Sequence, residues 1–278
     1  MLNDSDVKIF AKYMPQFPPS SVWLVGAGPG HIGLISVMGL FALKQADVII
    51  YDALVNKQFL QFIRADAEAI YAGKRGGKPS ASQDNIIDTI IKHAKRGKKV
   101  LRLKGGDPFI FGRGGEEVDA LAKANIKFLA IPGITAGIGG LAFAHIPATT
   151  RETNQSITFL TGHDAKGVIP SAIDWDALAK GAQTIVMYMS LKHIHAICDR
   201  LMAGGRQANE PVAFVRNATL PDQQVWQTTL FEAADFVLAN DITPPAIVVM
   251  GANVELRDRV LDYALPFYPH PADTQQPQ

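Results

Sequence analysis

In the first half of this chain, apolar residues come in short runs separated by stretches of helical spacing. Val22-Trp23-Leu24-Val25 is a continuous apolar run stopped by glycines, the pattern of a buried strand. Residues 34–46 carry apolar positions at helical spacing, and Val48-Ile49-Ile50-Tyr51 is a second buried strand. The pattern then predicts a helix over 57–64 and a strand at Ala69-Ile70-Tyr71. An amphipathic helix follows to about Arg96, opened by the capping-box spacing of Ser80 and Gln83. Residues 99–103 predict a strand, 116–124 a helix and 128–131 another strand. Strands alternating with helices form crossover units, so a mostly parallel sheet is expected.

The rhythm changes after the polar, turn-prone segment 148–155. Residues 157–160, 184–189, 212–215, 225–228 and 246–250 read as strands, with helices at 176–180, 192–203 and 230–238. More strands per helix suggests a mixed sheet. The expected organisation is an N-terminal tail (1–20), an α/β domain (21–149), a second α/β domain (150–262) and a Pro- and Gln-rich disordered tail (263–278).

Composition narrows the function. The chain has 278 residues, is 47% hydrophobic and carries a formal charge of +1, too little for a general nucleic-acid binder. An acidic ligand would need local basic clusters. Cys198 is the single cysteine, which excludes an internal disulfide and a cysteine zinc site and suits a reducing cytoplasm. No apolar run is long enough for a membrane span, and the N-terminus does not read as a signal peptide. A cytoplasmic protein without a metal is expected.

Several glycine-rich segments follow strands. In Leu103-Lys104-Gly105-Gly106-Asp107-Pro108, two residues without side chains let a ligand press on backbone groups, beside a fixed acceptor in Asp107. Such a turn belongs at the carboxyl edge of a sheet, where α/β proteins bind small molecules. Pro132-Gly133-Ile134-Thr135-Ala136-Gly137 is a second strand-end turn. Read from Gly28, the segment 26–33 matches Gly-x-Gly-x-x-Gly, with Asp52 ending the next strand. A dinucleotide-dependent oxidoreductase is the alternative this carries, although Pro29 removes a backbone donor from the loop. The basic loop 73–79, with Arg102, Lys104, Arg113 and Arg151, suggests a cationic wall for a polyanion. Asp52 suits a general base or a helix cap. His193 and His195, two apart on a helix, face different directions, which argues against a metal pair.

Together and in order, these motifs resemble the tetrapyrrole methylases, in their uroporphyrinogen-III-methylating branch. The carriers are the Val-Gly-Ala-Gly-Pro-Gly loop ending at Gly30, Tyr51-Asp52-Ala53-Leu54-Val55, Gly73-Lys74-Arg75, the Arg102–Pro108 turn with Phe111-Gly112-Arg113-Gly114-Gly115-Glu116-Glu117, and Pro132-Gly133-Ile134-Thr135. Thr161-Gly162-His163, Tyr188-Met189 and Pro245-Ala246-Ile247-Val248 extend the resemblance over residues 22–256. It implies a class III methyltransferase fold, two α/β domains with S-adenosylmethionine in the cleft between them, and a homodimer. It also implies methylation of uroporphyrinogen III at C2 and C7 to precorrin-2, with a later precorrin intermediate as the alternative substrate. Lacking a dinucleotide domain, the chain resembles the single-function members.

By the same resemblance, Pro29 belongs to the cofactor loop, and Gly105, Gly106, Asp107 and Ile110 hold the methionine and ribose portions. Thr135, Ala136, Met189 and Ala218 line the rest. Asp52 and Lys74 fall at the proton acceptor and donor, and Arg102 at a position linked to substrate carboxylates or catalysis. His31 departs from the family, which usually has Asp after Pro-Gly. That change places a potentially cationic group near a sulfonium.

Overall fold

The computed structural model describes residues 9–73, 83–164, 166–265 and 267. They form two units that divide between Thr135 and Ala136. The first contains β1 (Ser21–Gly26), α1 (Val37–Gln45), β2 (Val48–Tyr51), β3 (Glu68–Tyr71), α2 (Gln83–Lys95), β4 (Val100–Lys104), α3 (Gly114–Lys123) and β5 (Lys127–Ile131). Its sheet runs β3-β2-β4-β1-β5, and every pairing is parallel.

Side chains alternate across this sheet. Trp23, Val25, Leu101 and Leu103 pack on one face with Ala42 and Leu43 of α1. Val22, Leu24 and Val100 pack on the other with Ile86 and Ile90 of α2 and Leu121 of α3. Cover on both faces explains why these strands are continuous apolar runs rather than alternating ones. The chain leaves β1 by α1 on one face and leaves its neighbour β4 by α3 on the opposite face. Their carboxyl ends therefore flank the crevice that open α/β sheets use for ligands.

The second unit contains α4 (Ala136–Phe143), β6 (Thr158–Thr161), α5 (Trp175–Gly181), β7 (Ile185–Tyr188), α6 (Ile194–Ala203), β8 (Pro211–Arg216), β9 (Gln224–Thr229), α7 (Ala233–Ala239), β10 (Ala246–Met250) and α8 (Leu256–Val260). Its order is β6-β7-β10-β8-β9, with only β6 and β7 parallel to each other, so the sheet is mixed as expected. Since β7 and β8 both run antiparallel to β10, the carboxyl ends of β6, β7 and β8 share one edge.

The division falls ahead of the 149/150 boundary expected from polarity. Gly137 and Gly140 seat α4 closely on Phe159, Val186 and Ile247 of the second sheet, which places this helix in the second unit. The polar segment is a local turn instead, closed by the Thr150–Asn154 bridge. Local capping shifted two helices. α1 starts only at Val37, where Ser36 Oγ accepts from Gly39 N at 3.0 Å. The helix predicted over 57–64 is a short 3-10 segment, Lys57–Gln61, with Asn56 capping Gln58 N at 3.0 Å. Ser80, residues 1–8 of the expected tail and all of the C-terminal tail beyond 267 lie outside the described residues. Among the described residues, no helix is long and apolar enough to cross a membrane.

Candidate active site

Three strand exits meet at the carboxyl edge of the first sheet. Ala27 N donates to Lys104 O at 2.8 Å, and Gly28 and Gly106 exchange backbone bonds at 3.2 and 2.8 Å. This clasp needs left-handed backbone at Gly28 (φ +79°) and Gly106 (φ +67°), which glycine adopts without a steric penalty. A Cβ on Gly26 would stand 2.5 Å from Gly133 Cα and 2.6 Å from Gly106 O, so the exit of β5 closes on the same point. Asp107 ties the third exit, its Oδ2 accepting from Gly133 N at 3.0 Å and its Oδ1 from Phe109 N at 2.8 Å. The Pro29 loop is pinned by Asn56 Nδ2, which donates to Gly30 O at 2.9 Å.

The clasp decides against the dinucleotide alternative. The Gly28 N–H is already bound to Gly106, and α1 begins well after the loop, so no helix N-terminus faces a phosphate there. The strand order also differs from the usual dinucleotide-binding order, in which β1 and β2 are neighbours.

Gly105 behaves differently from its neighbours. Its N–H and C=O make no hydrogen bond among the described residues. The space over its Cα ends at Leu54, whose Cβ lies 3.0 Å from where a Gly105 Cβ would be. Leu54 is exposed, as are Phe109, Ile110 and Phe111, which follow Gly105 closely in the chain. Unused backbone donors and acceptors with exposed apolar side chains suit a ligand that has an apolar body and a few polar groups.

Behind this edge lies a buried charge cluster. Arg102 and Lys104 alternate with Leu101 and Leu103, so they point to the α3 face of β4, where Glu117 occupies the first turn of α3. All three are buried, at 1%, 2% and 1% exposure respectively. Glu117 Oε1 accepts from Arg102 Nε at 2.9 Å, Lys104 Nζ at 3.1 Å and Gln83 Nε2 at 3.1 Å. Arg102 Nη2 donates to Asp52 Oδ1, and Nη1 to the Ile50 carbonyl at 3.3 Å. Lys104 Nζ stands 3.8 Å from Asp52 Oδ2. Two cations and two carboxylates therefore balance, and Asp52 alone reaches solvent, with 30% of its side chain exposed.

Burial works against the charge of Arg102, but Asp52 and Glu117 together outweigh it and hold the guanidinium above its ordinary value. Burial also lowers Lys104, reinforced by the adjacent Arg102 charge, and here the carboxylates offset it only in part. Breaking such a buried pair costs about 3–5 kcal/mol, whereas replacing the whole set with apolar groups is often neutral. Stability alone therefore does not account for the cluster.

The cluster corrects two expectations. Arg102 and Lys104 do not form part of a solvent-facing cationic wall, since both are enclosed and neutralised. Arg102 is enclosed and spends its guanidinium on Asp52, Glu117 and the Ile50 carbonyl, so it is not presented to an outside carboxylate. Of the other expected cations, Arg113 pairs with Glu116, Nε to Oε1 at 2.9 Å, and Arg151 is exposed. Lys74, with the rest of the basic loop from 74 to 79, lies outside the described residues. Glu117 was legible only as part of a motif. Its separate signal was its place with Gly114 and Leu121 on the buried stripe of α3, an acid among apolar spacing.

At the shared carboxyl edge of the second sheet, the expected site residues lie on or beside left-handed backbone. Met189 follows β7 with φ +53° and is 44% exposed. Ala218 follows β8 between Asn217 (φ +48°) and Thr219 (φ +66°). Left-handed non-glycine residues cost about 1–3 kcal/mol each and cluster at ligand sites. Asn217 N donates to Pro245 O at 3.0 Å, and Tyr188 Oη accepts from Gly137 N at 2.8 Å, which seats the first turn of α4 and with it Ala136. Thus Pro29, Asp52, Gly105, Gly106, Asp107 and Ile110 belong to the first edge, and Ala136, Met189 and Ala218 to the second. Thr135, two residues past Gly133, is buried at the end of the first unit.

Comparison with known proteins identifies the family of the chain. The family described as Tetrapyrrole (Corrin/Porphyrin) Methylases matches residues 21–234. A uroporphyrinogen-III C-methyltransferase of Sinorhizobium sp is 54% identical over 244 residues, 88% of this chain and 87% of that protein. A siroheme synthase of Actinobacillus pleuropneumoniae is 45% identical over 85% of this chain, which spans about half (48%) of that longer protein. Among solved structures, uroporphyrin-III C-methyl transferase from Thermus thermophilus, complexed with S-adenyl homocysteine, is 32% identical. It superposes with a TM-score of 0.74, covering 85% of this chain and 99% of that one.

Proposed function

This chain belongs to the tetrapyrrole (corrin/porphyrin) methylases, and from that premise we propose that its edge residues serve C-methylation of a porphyrinogen with S-adenosylmethionine as donor. The chain methylates uroporphyrinogen III, a reading supported by its 54% identity to a relative of that name. We assign the methyl groups to C2 and C7, with precorrin-2 as product. A homodimer working in the cytoplasm completes the reading, and light scattering on the purified chain tests the dimer.

The observation that carries the chemistry is the Asp52 carboxylate. Arg102 holds Oδ1 from the buried side, while Oδ2 takes no hydrogen bond among the described residues and 30% of the Asp52 side chain reaches solvent. Bound S-adenosylmethionine supplies an electrophilic methyl group whose C–S bond breaks as the new C–C bond forms, leaving S-adenosylhomocysteine. Asp52 Oδ2 takes the pyrrole N–H proton, which makes the ring carbon a stronger nucleophile. Lys74 is the proton donor in this reading. The free N–H and C=O of Gly105, with Gly106 and Ile110, orient the donor's polar portion; Asp107 keeps that turn rigid, and the Pro29 loop borders it. Thr135, Ala136, Met189 and Ala218 supply shape. Alignment of this kind is worth roughly 7–11 kcal/mol of barrier and asks little covalent help from the protein.

Anaerobic incubation with uroporphyrinogen III and methyl-labelled S-adenosylmethionine, followed by mass spectrometry of the tetrapyrrole, tests the proposal. A gain of two labelled methyl groups is expected. Donor binding with no methylated uroporphyrinogen product would move the substrate to a later precorrin and overturn it.

A further inference from the structure

The buried cluster holds four contacts between opposite charges, but only three are hydrogen bonds. Asp52 with Arg102, Arg102 with Glu117, and Lys104 with Glu117 are closed. The fourth, Lys104 Nζ to Asp52 Oδ2, stays open at 3.8 Å. Lys104 sits between two carboxylates, and its side chain is only 3% exposed, so its ammonium cannot turn to water and must lean on one of them. It donates to Glu117 at 3.1 Å. Glu117 is equally enclosed, and its Oε1 gathers Gln83, Arg102 and Lys104 together.

We propose that Glu117 is a positioning residue for the methylation, one that draws the Lys104 ammonium away from Asp52 so that Asp52 Oδ2 stays free to accept the substrate proton. This inference rests on the assignment of Asp52 as proton acceptor. Arg102 and Glu117 then divide the work: Arg102 fixes one oxygen of Asp52, and Glu117 protects the other. If the Glu117 charge is removed, the ammonium has a single anion left, and a shift of about 1 Å from its 3.8 Å separation brings it to hydrogen-bond distance, about 2.8–3.0 Å, of Oδ2. An acceptor lone pair that would receive the pyrrole proton is then occupied.

The test compares Glu117→Gln, the charge-balanced Glu117→Gln/Lys104→Met, and Asp52→Asn. Each is assayed for kcat, for donor affinity by calorimetry, and for crystal structure. In Glu117→Gln, kcat should fall about 10- to 100-fold, part of the 10²–10⁴ that a placed base supplies. Donor affinity should hold within about twofold, and Lys104 Nζ should bond to Asp52 Oδ2. The double variant should regain most of the lost rate, because no ammonium remains to occupy Oδ2. A merely structural role for Glu117 predicts no such recovery, so a loss that Lys104→Met leaves in place overturns the proposal. An unchanged kcat in Glu117→Gln, with Asp52→Asn inactive, overturns it equally. If Asp52→Asn keeps native kcat, the assignment of Asp52 has failed. The Glu117→Gln structure then decides the hold on Lys104 separately, a moved ammonium supporting it and an unmoved one refuting it. Should Glu117→Gln not fold, the double variant decides alone: near-native kcat supports the proposal, and a loss as deep as that of Asp52→Asn refutes it.

Discussion

Past β2 and β4, the first sheet ends in Asp52 and the Gly105-Gly106 turn, backed by three charged side chains that are almost wholly enclosed. Past β7 and β8, the second sheet ends in Met189 and the segment Asn217-Ala218-Thr219, where three of the four residues hold left-handed backbone and none is charged. Both edges keep groups still, by different means. In the first, parallel strands covered on both faces give Arg102 and Lys104 no route to water, so fixed ion pairs are the available solution. In the second, close packing of a helix on Tyr188 and bent strand exits set the shape of the edge. Charge shut away from water needs a partner held in place, whereas apolar packing needs only matched volume.

The contrast breaks most directly at Asp52. Asp52→Ala should lower kcat by about 10²–10⁴-fold with calorimetric affinity for S-adenosylmethionine unchanged. Retained turnover would remove any catalytic use of charge from the first edge. Arg102→Met comes next. It leaves two carboxylates against Lys104 alone and should cost about 3–5 kcal/mol of stability in urea unfolding. A loss below about 1 kcal/mol, the value of an exposed pair, would mean that the cluster is hydrated.

On the second edge the lever is volume. A Cβ at Gly137 would lie 2.9 Å from Phe159 Cε1 and from Val186 Cγ1, so Gly137→Ala should cost about 1–3 kcal/mol by overpacking. It should also weaken donor binding while kcat at saturating donor changes little. A fall in kcat with unaltered binding would contradict the assignment of shape to this edge.

The smallest effect concerns the second unit's own buried titratable group. Cys198 lies on the buried face of α6, in the apolar core, and burial, with a lesser push from Asp199, raises its thiol from 9.0 to about 12. Above pH 9.0 the unfolded chain gives up this proton and the folded chain keeps it, so stability should fall as pH rises from 9.0 toward about 12. Cys198→Ala should lack that component, which denaturant midpoints on either side of pH 9.0 would reveal. An equal alkaline slope in the variant would show that the thiol is not responsible.

Much of the fold was legible where burial is continuous. β2 and β10 begin and end at the residues the apolar runs predict, because turn-forming neighbours bound them sharply. Helix starts were less legible. Ser36 and Asn56 caps, not apolar spacing, decide where the backbone turns helical. The placement of α4 was hidden for another reason: its small residues carry almost no amphipathic signal, and only the sheet it packs on shows which unit owns it.

The sequence by itself determined the alternation of strands and helices, the glycines where strand exits must approach within contact, and the ordered motifs that mark the family. It also placed Asp52 at a strand end. Only the tertiary structure decided which charges are inside and what they face. Glu116 and Glu117 are adjacent and alike on paper, yet one pairs with Arg113 at the surface and the other closes the buried cluster. Arg102 meets Asp52 across 50 residues of chain. The reason is that the energy of a charge depends on distance and on access to water in three dimensions, and both are set by which elements pack over it.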